Sequence, residues 1–154
     1  MNVEKTLLTR AENNISREEL LEIVRLVLPN KPGVALVHSD LSNFRVKDKD
    51  FIWNILYAVE VLVDEGWTLL FPSFTFSFCS GKPFSLSKSP SETGILADKV
   101  LVSFPGAKRT TAPIYSFVIL GRDGIHDIFP VGEPEDRCFF TVKILHDHQL
   151  CASL

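Results

Sequence analysis

Three unbroken apolar runs constrain this chain more than any other feature. Val34 to Val37, Trp67 to Phe71 and Tyr115 to Leu120 show no alternation of apolar and polar residues, so strands formed there need cover on both faces. Helical patterns separate them. Ser16-Arg17-Glu18-Glu19 has the spacing of a capping box, and Leu20, Ile23, Val24, Val27 and Leu28 recur at helical period until Pro29 to Gly33 ends the run. A second helix is predicted from about Lys49 to Asp64, with Phe51, Ile52, Ile55, Leu56, Val59, Leu62 and Val63 on its apolar face and Gly66 as its C′ glycine. Ser91 or Thr93 is suited to cap a short third helix through Ile95, Leu96 and Val100, which Pro105-Gly106 breaks. Helix and strand alternate throughout, as in an α/β protein with a partly parallel sheet.

With 154 residues the chain is bounded to a single domain, 1–154. A net charge of −3 gives no electrostatic case for a nucleic-acid or membrane-surface partner. The apolar runs are too short to span a bilayer, and Met1 to Arg10 lacks the apolar stretch of a signal peptide, so a cytoplasmic location is expected. Cys79, Cys138 and Cys151 are odd in number, widely spaced and without a CxxC pattern. That spacing suggests reduced thiols and no metal site.

Loops after the strands are the default place for chemistry, because ligands of open α/β sheets bind at the carboxyl ends of strands. The first is His38-Ser39-Asp40-Leu41-Ser42, whose short side chains would let a phosphate or an amide-bearing arm approach the backbone; a Ser-rich turn is the plainer alternative. The second, Pro72 to Ser80, opens a stretch from Ser73 to Ser91 that is long, aperiodic and rich in Ser, Phe, Gly and Pro, and long ordered loops are commonly functional; a third follows Gly121. Gly106-Ala107-Lys108-Arg109-Thr110-Thr111 could hold phosphate by charge and hydroxyl donors, or could be a solvated basic turn. Ser116 falls inside an apolar strand and needs a hydrogen-bond partner there. No H-E-x-x-H, G-x-S-x-G or Walker pattern occurs.

Four ordered blocks carry a family resemblance: Val37-His38-Ser39-Asp40-Leu41-Ser42; Leu69 to Thr75; Ser89 to Gly94; and Pro105 to Thr110 with Pro113-Ile114-Tyr115-Ser116. Together, over roughly Gly33 to Gly121, they resemble the aminoglycoside 3-N-acetyltransferase family. The resemblance implies a three-layer α/β/α fold with a mixed, partly parallel central sheet, here incomplete relative to the family. It implies an acyltransferase that moves acetyl from acetyl-CoA to the 3-amino group of 2-deoxystreptamine aminoglycosides, an antibiotic-resistance activity needing no metal. It places His38, Ser39, Leu41 and Ser42 on the first coenzyme loop, Phe74 and Thr75 on the second, Thr93 and Gly94 on the third, and Arg109, Thr110 and Ser116 in an arginine–serine block.

Two departures bear on activity. Ala112-Pro113 stands where the family has His-Pro, and nothing in 138–154 matches the family's His-x-x-Glu-like catalytic segment. Residues 137–154 are therefore expected to lie out of family register, the chain to correspond to a truncated N-terminal portion, and its catalytic residues to be missing. An uncovered sheet edge and self-association are expected with that. The alternatives are an N-acyltransferase for an amino sugar of a surface polysaccharide and a non-catalytic remnant that retains coenzyme-A affinity.

Overall fold

The computed structural model describes residues 15–39, 41, 50–121 and 152–153. Helix α1, Arg17–Val27, opens with the capping box read from the sequence: Ser16 Oγ accepts from the Glu19 amide at 3.2 Å, and the Glu19 carboxylate accepts from the Ser16 amide at 3.1 Å. Leu20, Leu21 and Ile23 form its buried face, while Val27, expected there, is exposed. Helix α2, Asp50–Asp64, buries Phe51, Leu56, Ala58, Val59 and Leu62. It ends in a Schellman turn, with the Trp67 amide on the Leu62 carbonyl, the Gly66 amide on the Val63 carbonyl, and Gly66 at φ 102°. Helix α3 spans Ile95–Ser103.

Among the described residues five strands make one sheet. They are β1 (Val34–Leu36), β2 (Thr68–Pro72), β3 (Lys108–Arg109), β4 (Phe117–Leu120) and β5 (Ala152–Ser153), in the spatial order β3-β4-β2-β1-β5. β1 runs parallel to β2 and to β5, whereas β4 runs antiparallel to both β2 and β3. The fold is thus α/β with a mixed, partly parallel sheet.

The continuous apolar runs are explained by burial on both sides. On one face Ala35, Leu69, Phe71, Val118 and Leu120 pack into a single core with α1, α2 and α3. On the other, Leu70, Phe117 and Ile119 are buried with Val34, Leu36 and Phe74 against them. Leu70, Val118 and Ile119 have no exposed surface at all. Gly121 follows β4 at a point of close approach: a Cβ there would lie 2.6 Å from Thr68 Oγ1.

Four local expectations are corrected. The third strand starts at Phe117 rather than Tyr115, because Tyr115 sits at φ 60°, outside strand geometry. The first strand ends at Leu36, although the Val37 amide continues the ladder to the Leu70 carbonyl at 2.8 Å. Neither Ser91 nor Thr93 caps α3; Gly94 is the N-cap and supplies no side-chain hydrogen bond. Lys108–Arg109, read as a turn, is an edge strand. At the sheet's other side β5 pairs with Ala35 and Leu36, so a completed element does lie within 138–154. The rest of the 137–154 register expectation lies outside the described residues, as do Cys138 and Cys151.

Candidate functional site

A small cleft opens where the parallel strands β1 and β2 end. Its wall is made by Val37, His38 and Ser39 after β1, by Phe71 and Pro72 at the end of β2, and by Thr93, Gly94, Leu96 and Ala97 at the start of α3. This is the carboxyl-end location that parallel strands favour for ligands. Because Gly94 offers no side-chain cap, the first amides of α3 have no capping side chain, and such a helix end favours anionic or carbonyl oxygens. Gly94 itself sits at φ 141°, and a Cβ there would come within 3.6 Å of the Ser39 carbonyl. The backbone conformation is what suits glycine, since a contact at 3.6 Å is ordinary packing.

Thr93 ties the cleft together. Its hydroxyl donates to the Pro72 carbonyl at 2.9 Å and accepts from the Phe74 amide at 3.2 Å. Around it the long loop is pinned from both ends. Its 3₁₀ turn, Phe76–Ser80, begins where the Ser77 amide donates to Glu92, at 3.0 and 3.3 Å to the two carboxylate oxygens. That hydrogen bond to Ser77 holds the Glu92 carboxyl below its ordinary value, with Lys82 adding to the effect. The Ser91 amide likewise meets both oxygens of Asp98, at 3.1 and 3.2 Å.

A second polar cluster lies beneath this loop, away from the cleft wall. Arg109 is 5% exposed. Its guanidinium donates to the carbonyl of Ser89 at 2.5 Å, to the carbonyl of Ser73, to Thr75 Oγ1 at 2.8 Å, and to Ser116 Oγ at 3.2 and 3.4 Å. The Phe84 ring lies over it, 5.1 Å from guanidinium carbon to ring centroid. Burial lowers the Arg109 pKa, and the charge of Asp98 opposes that shift. Ser116 Oγ finds its partner in the Ser73 carbonyl, and Thr110 Oγ1 accepts from the Phe117 amide at 2.9 Å.

The candidate residues therefore divide. His38, Ser39, Thr93 and Gly94 converge on the cleft. Thr75, Arg109, Thr110 and Ser116 are buried in or beside the second cluster. Phe74 stands in an aromatic group with Phe76, Tyr115 and Phe117, with ring centroids 6.0, 5.2 and 5.6 Å away. Leu41 packs against the core, and Ser42 lies outside the described residues. Sequence reasoning missed Leu96 and Ala97 as cleft residues and Ser89 and Phe84 as partners of Arg109. Pro72 was legible as a strand end; the Ser89 contribution is a backbone carbonyl, which no residue type announces. Among the described residues no group of three His, Cys, Asp or Glu could hold a metal, and no helix is long and apolar enough to cross a membrane.

No family model matches the chain, and no curated protein matches it. Solved structures do. A histidine-to-alanine mutant of aminoglycoside acetyltransferase AAC(3)-IVa in complex with apramycin matches at TM-score 0.63 and 24% identity, covering 90% of this chain and 55% of that one. AAC-IIIb in a binary complex with CoASH matches at TM-score 0.57 and 21% identity, covering 75% of this chain and 49% of that one. The YokD protein from Bacillus subtilis matches at TM-score 0.58 and 20% identity, covering 78% of this chain and 55% of that one. The chain thus has the fold of the aminoglycoside acetyltransferases and spans about half the length of the structures it matches.

Proposed function

We propose that the chain is an acyltransferase domain whose cleft receives acetyl-CoA, with the 3-amino group of a 2-deoxystreptamine aminoglycoside as acceptor. The observation that carries this reading is the cleft itself: parallel strand ends meeting a helix N-terminus that has no side-chain cap, in a fold shared with a protein whose solved complex contains CoASH. The donors fit the ligand. Ser39, Thr93 and the first amides of α3 offer hydroxyl and N–H groups to phosphate oxygens or pantetheine carbonyls, and Gly94 leaves the backbone approachable. Acetyl-CoA supplies the acetyl group as a thioester. The chain's part is to hold that thioester beside the acceptor amine, which must lose a proton to attack it. His38, on the cleft wall, is the imidazole among the described residues, and no carboxylate stands beside it among the described lining residues. Coenzyme binding is the activity assigned to this cleft. A cytoplasmic location suits this use of acetyl-CoA.

Isothermal titration with coenzyme A tests the reading. Ser39→Asp places a carboxylate in the cleft and should weaken binding by about tenfold or more through like-charge repulsion. A wild-type chain that takes up no coenzyme A at millimolar concentration overturns it.

A further inference from the structure

Arg109 is the buried cation of the described structure, and its surroundings do not present it to a ligand. The acceptors it meets are protein groups drawn from three separate segments: the carbonyl of Ser73 and the hydroxyl of Thr75, the carbonyl of Ser89, and the hydroxyl of Ser116. Phe84 covers the guanidinium from the loop side. Among the described residues it has no carboxylate in ion-pair contact, so hydrogen bonds to neutral groups are what satisfy a charge that would otherwise be costly to bury.

These contacts are linked to the cleft by a continuous path. Thr75 Oγ1 accepts from Arg109 and donates its own hydrogen bond to the Pro90 carbonyl at 3.0 Å. The Glu92 amide donates to the Phe74 carbonyl at 2.8 Å, and the Phe74 amide donates back to Thr93 Oγ1. Segments 73–75 and 89–93 are thereby zipped together immediately before Gly94 and the first turn of α3. Ser116 contributes from the far side, its hydroxyl donating to the Ser73 carbonyl while accepting from Arg109. It directly follows Tyr115, whose φ of 60° needs surrounding structure to hold it.

We infer that Arg109 is a positioning residue: it bolts the 73–75 and 89–93 segments to the β3–β4 edge and so fixes Thr93, Gly94 and the start of α3 on the cleft, without contacting the coenzyme. The link to coenzyme affinity rests on the function proposed above; the role as a bolt does not.

Two variants separate this role from a direct phosphate contact. Arg109→Lys keeps the positive charge but cannot reach several acceptors in one plane. Ser116→Ala keeps Arg109 whole and removes one of its partners, and serves where the lysine variant folds poorly. Amide hydrogen exchange without ligand is read at Thr75, Phe74 and Glu92, and coenzyme A affinity is measured by titration. Both variants should exchange faster at those amides, and both should bind coenzyme A more weakly by about tenfold, as losses in a supporting shell do. Unchanged exchange in both variants overturns the inference. So does an affinity that is retained in Ser116→Ala. If the wild-type chain binds no coenzyme A, the proposed function fails while the exchange measurement still decides whether Arg109 is the bolt.

Discussion

Thr93 and Pro72, 21 residues apart in sequence, are joined by one hydrogen bond of 2.9 Å from the threonine hydroxyl to the proline carbonyl. The same oxygen accepts from the Phe74 amide, so a single side chain satisfies backbone groups at a strand end where the ladder runs out. Thr93→Val is isosteric but leaves both groups without this partner. It should destabilise the chain by about 1–3 kcal/mol, whereas Thr93→Ser should stay within about 1 kcal/mol of wild type. Urea unfolding of the three proteins checks this, and equal midpoints for Val and Ser would contradict it.

Gly121 and Thr68 define a steric pair. A Cβ on Gly121 would sit 2.6 Å from Thr68 Oγ1 and 3.1 Å from its Cγ2, so Gly121→Ala should cost about 1–3 kcal/mol by overpacking. Thr68→Ala removes these two atoms and leaves only its own Cβ, 3.2 Å away. In a double-mutant cycle the combined variant should be more stable than the sum of the single losses predicts, by about 0.5 kcal/mol or more. Additive losses would place the strain elsewhere.

Burial of both sheet faces can be tested at neighbouring positions. Leu69 faces the helices and Leu70 the opposite side, yet both are essentially unexposed. Truncating either to alanine should cost about 2–5 kcal/mol. A small loss at Leu70 alone, measured by thermal or urea unfolding, would mean that the second face is open.

Glu92 predicts a pH response. The Ser77 amide favours the ionised carboxylate, so the folded pKa is lowered. A lowered folded value means that this interaction stabilises the fold above the ordinary carboxylate range and is lost as pH falls through the depressed folded value. The Ser77 amide resonance should therefore shift with a midpoint below that of an ordinary glutamate. In Glu92→Gln that transition should vanish from Ser77; its persistence would assign the titration to another group.

Much of this was legible from residue types alone. The Ser16–Glu19 box and the Gly66 turn declare themselves by spacing and by the conformations those residues favour. The strand cores follow from their unbroken apolar character. What failed were choices between local and distant partners. Thr93 has a capping side chain, but its hydroxyl goes to the Pro72 carbonyl across the loop. Arg109 reads as a phosphate-holding cation or part of a solvated basic turn beside Lys108, and it is the three-dimensional convergence of the Ser73 and Ser89 carbonyls that makes its burial tolerable. Tyr115 belongs to an apolar run and has high strand propensity, yet its left-handed backbone delays the strand. Of the residues on the cleft, His38 and Ser39 stand on a loop singled out because it follows a strand, a rule of topology rather than of residue type, whereas Thr93 and Gly94 were named as site residues only through the family resemblance.

The strand order has a consequence for how the chain is made. Val34 meets Thr68, but Ala35 meets Ala152 on its other side. Synthesis proceeds from the N-terminus, so β1 can pair with β2 early, while its remaining edge waits for residues translated much later. During that interval the β1 edge presents unsatisfied backbone groups to any other extended segment. A ribosome pausing before Ala152 would thus hold a nascent chain with one side of its sheet open, the stage at which chaperone capture would matter most.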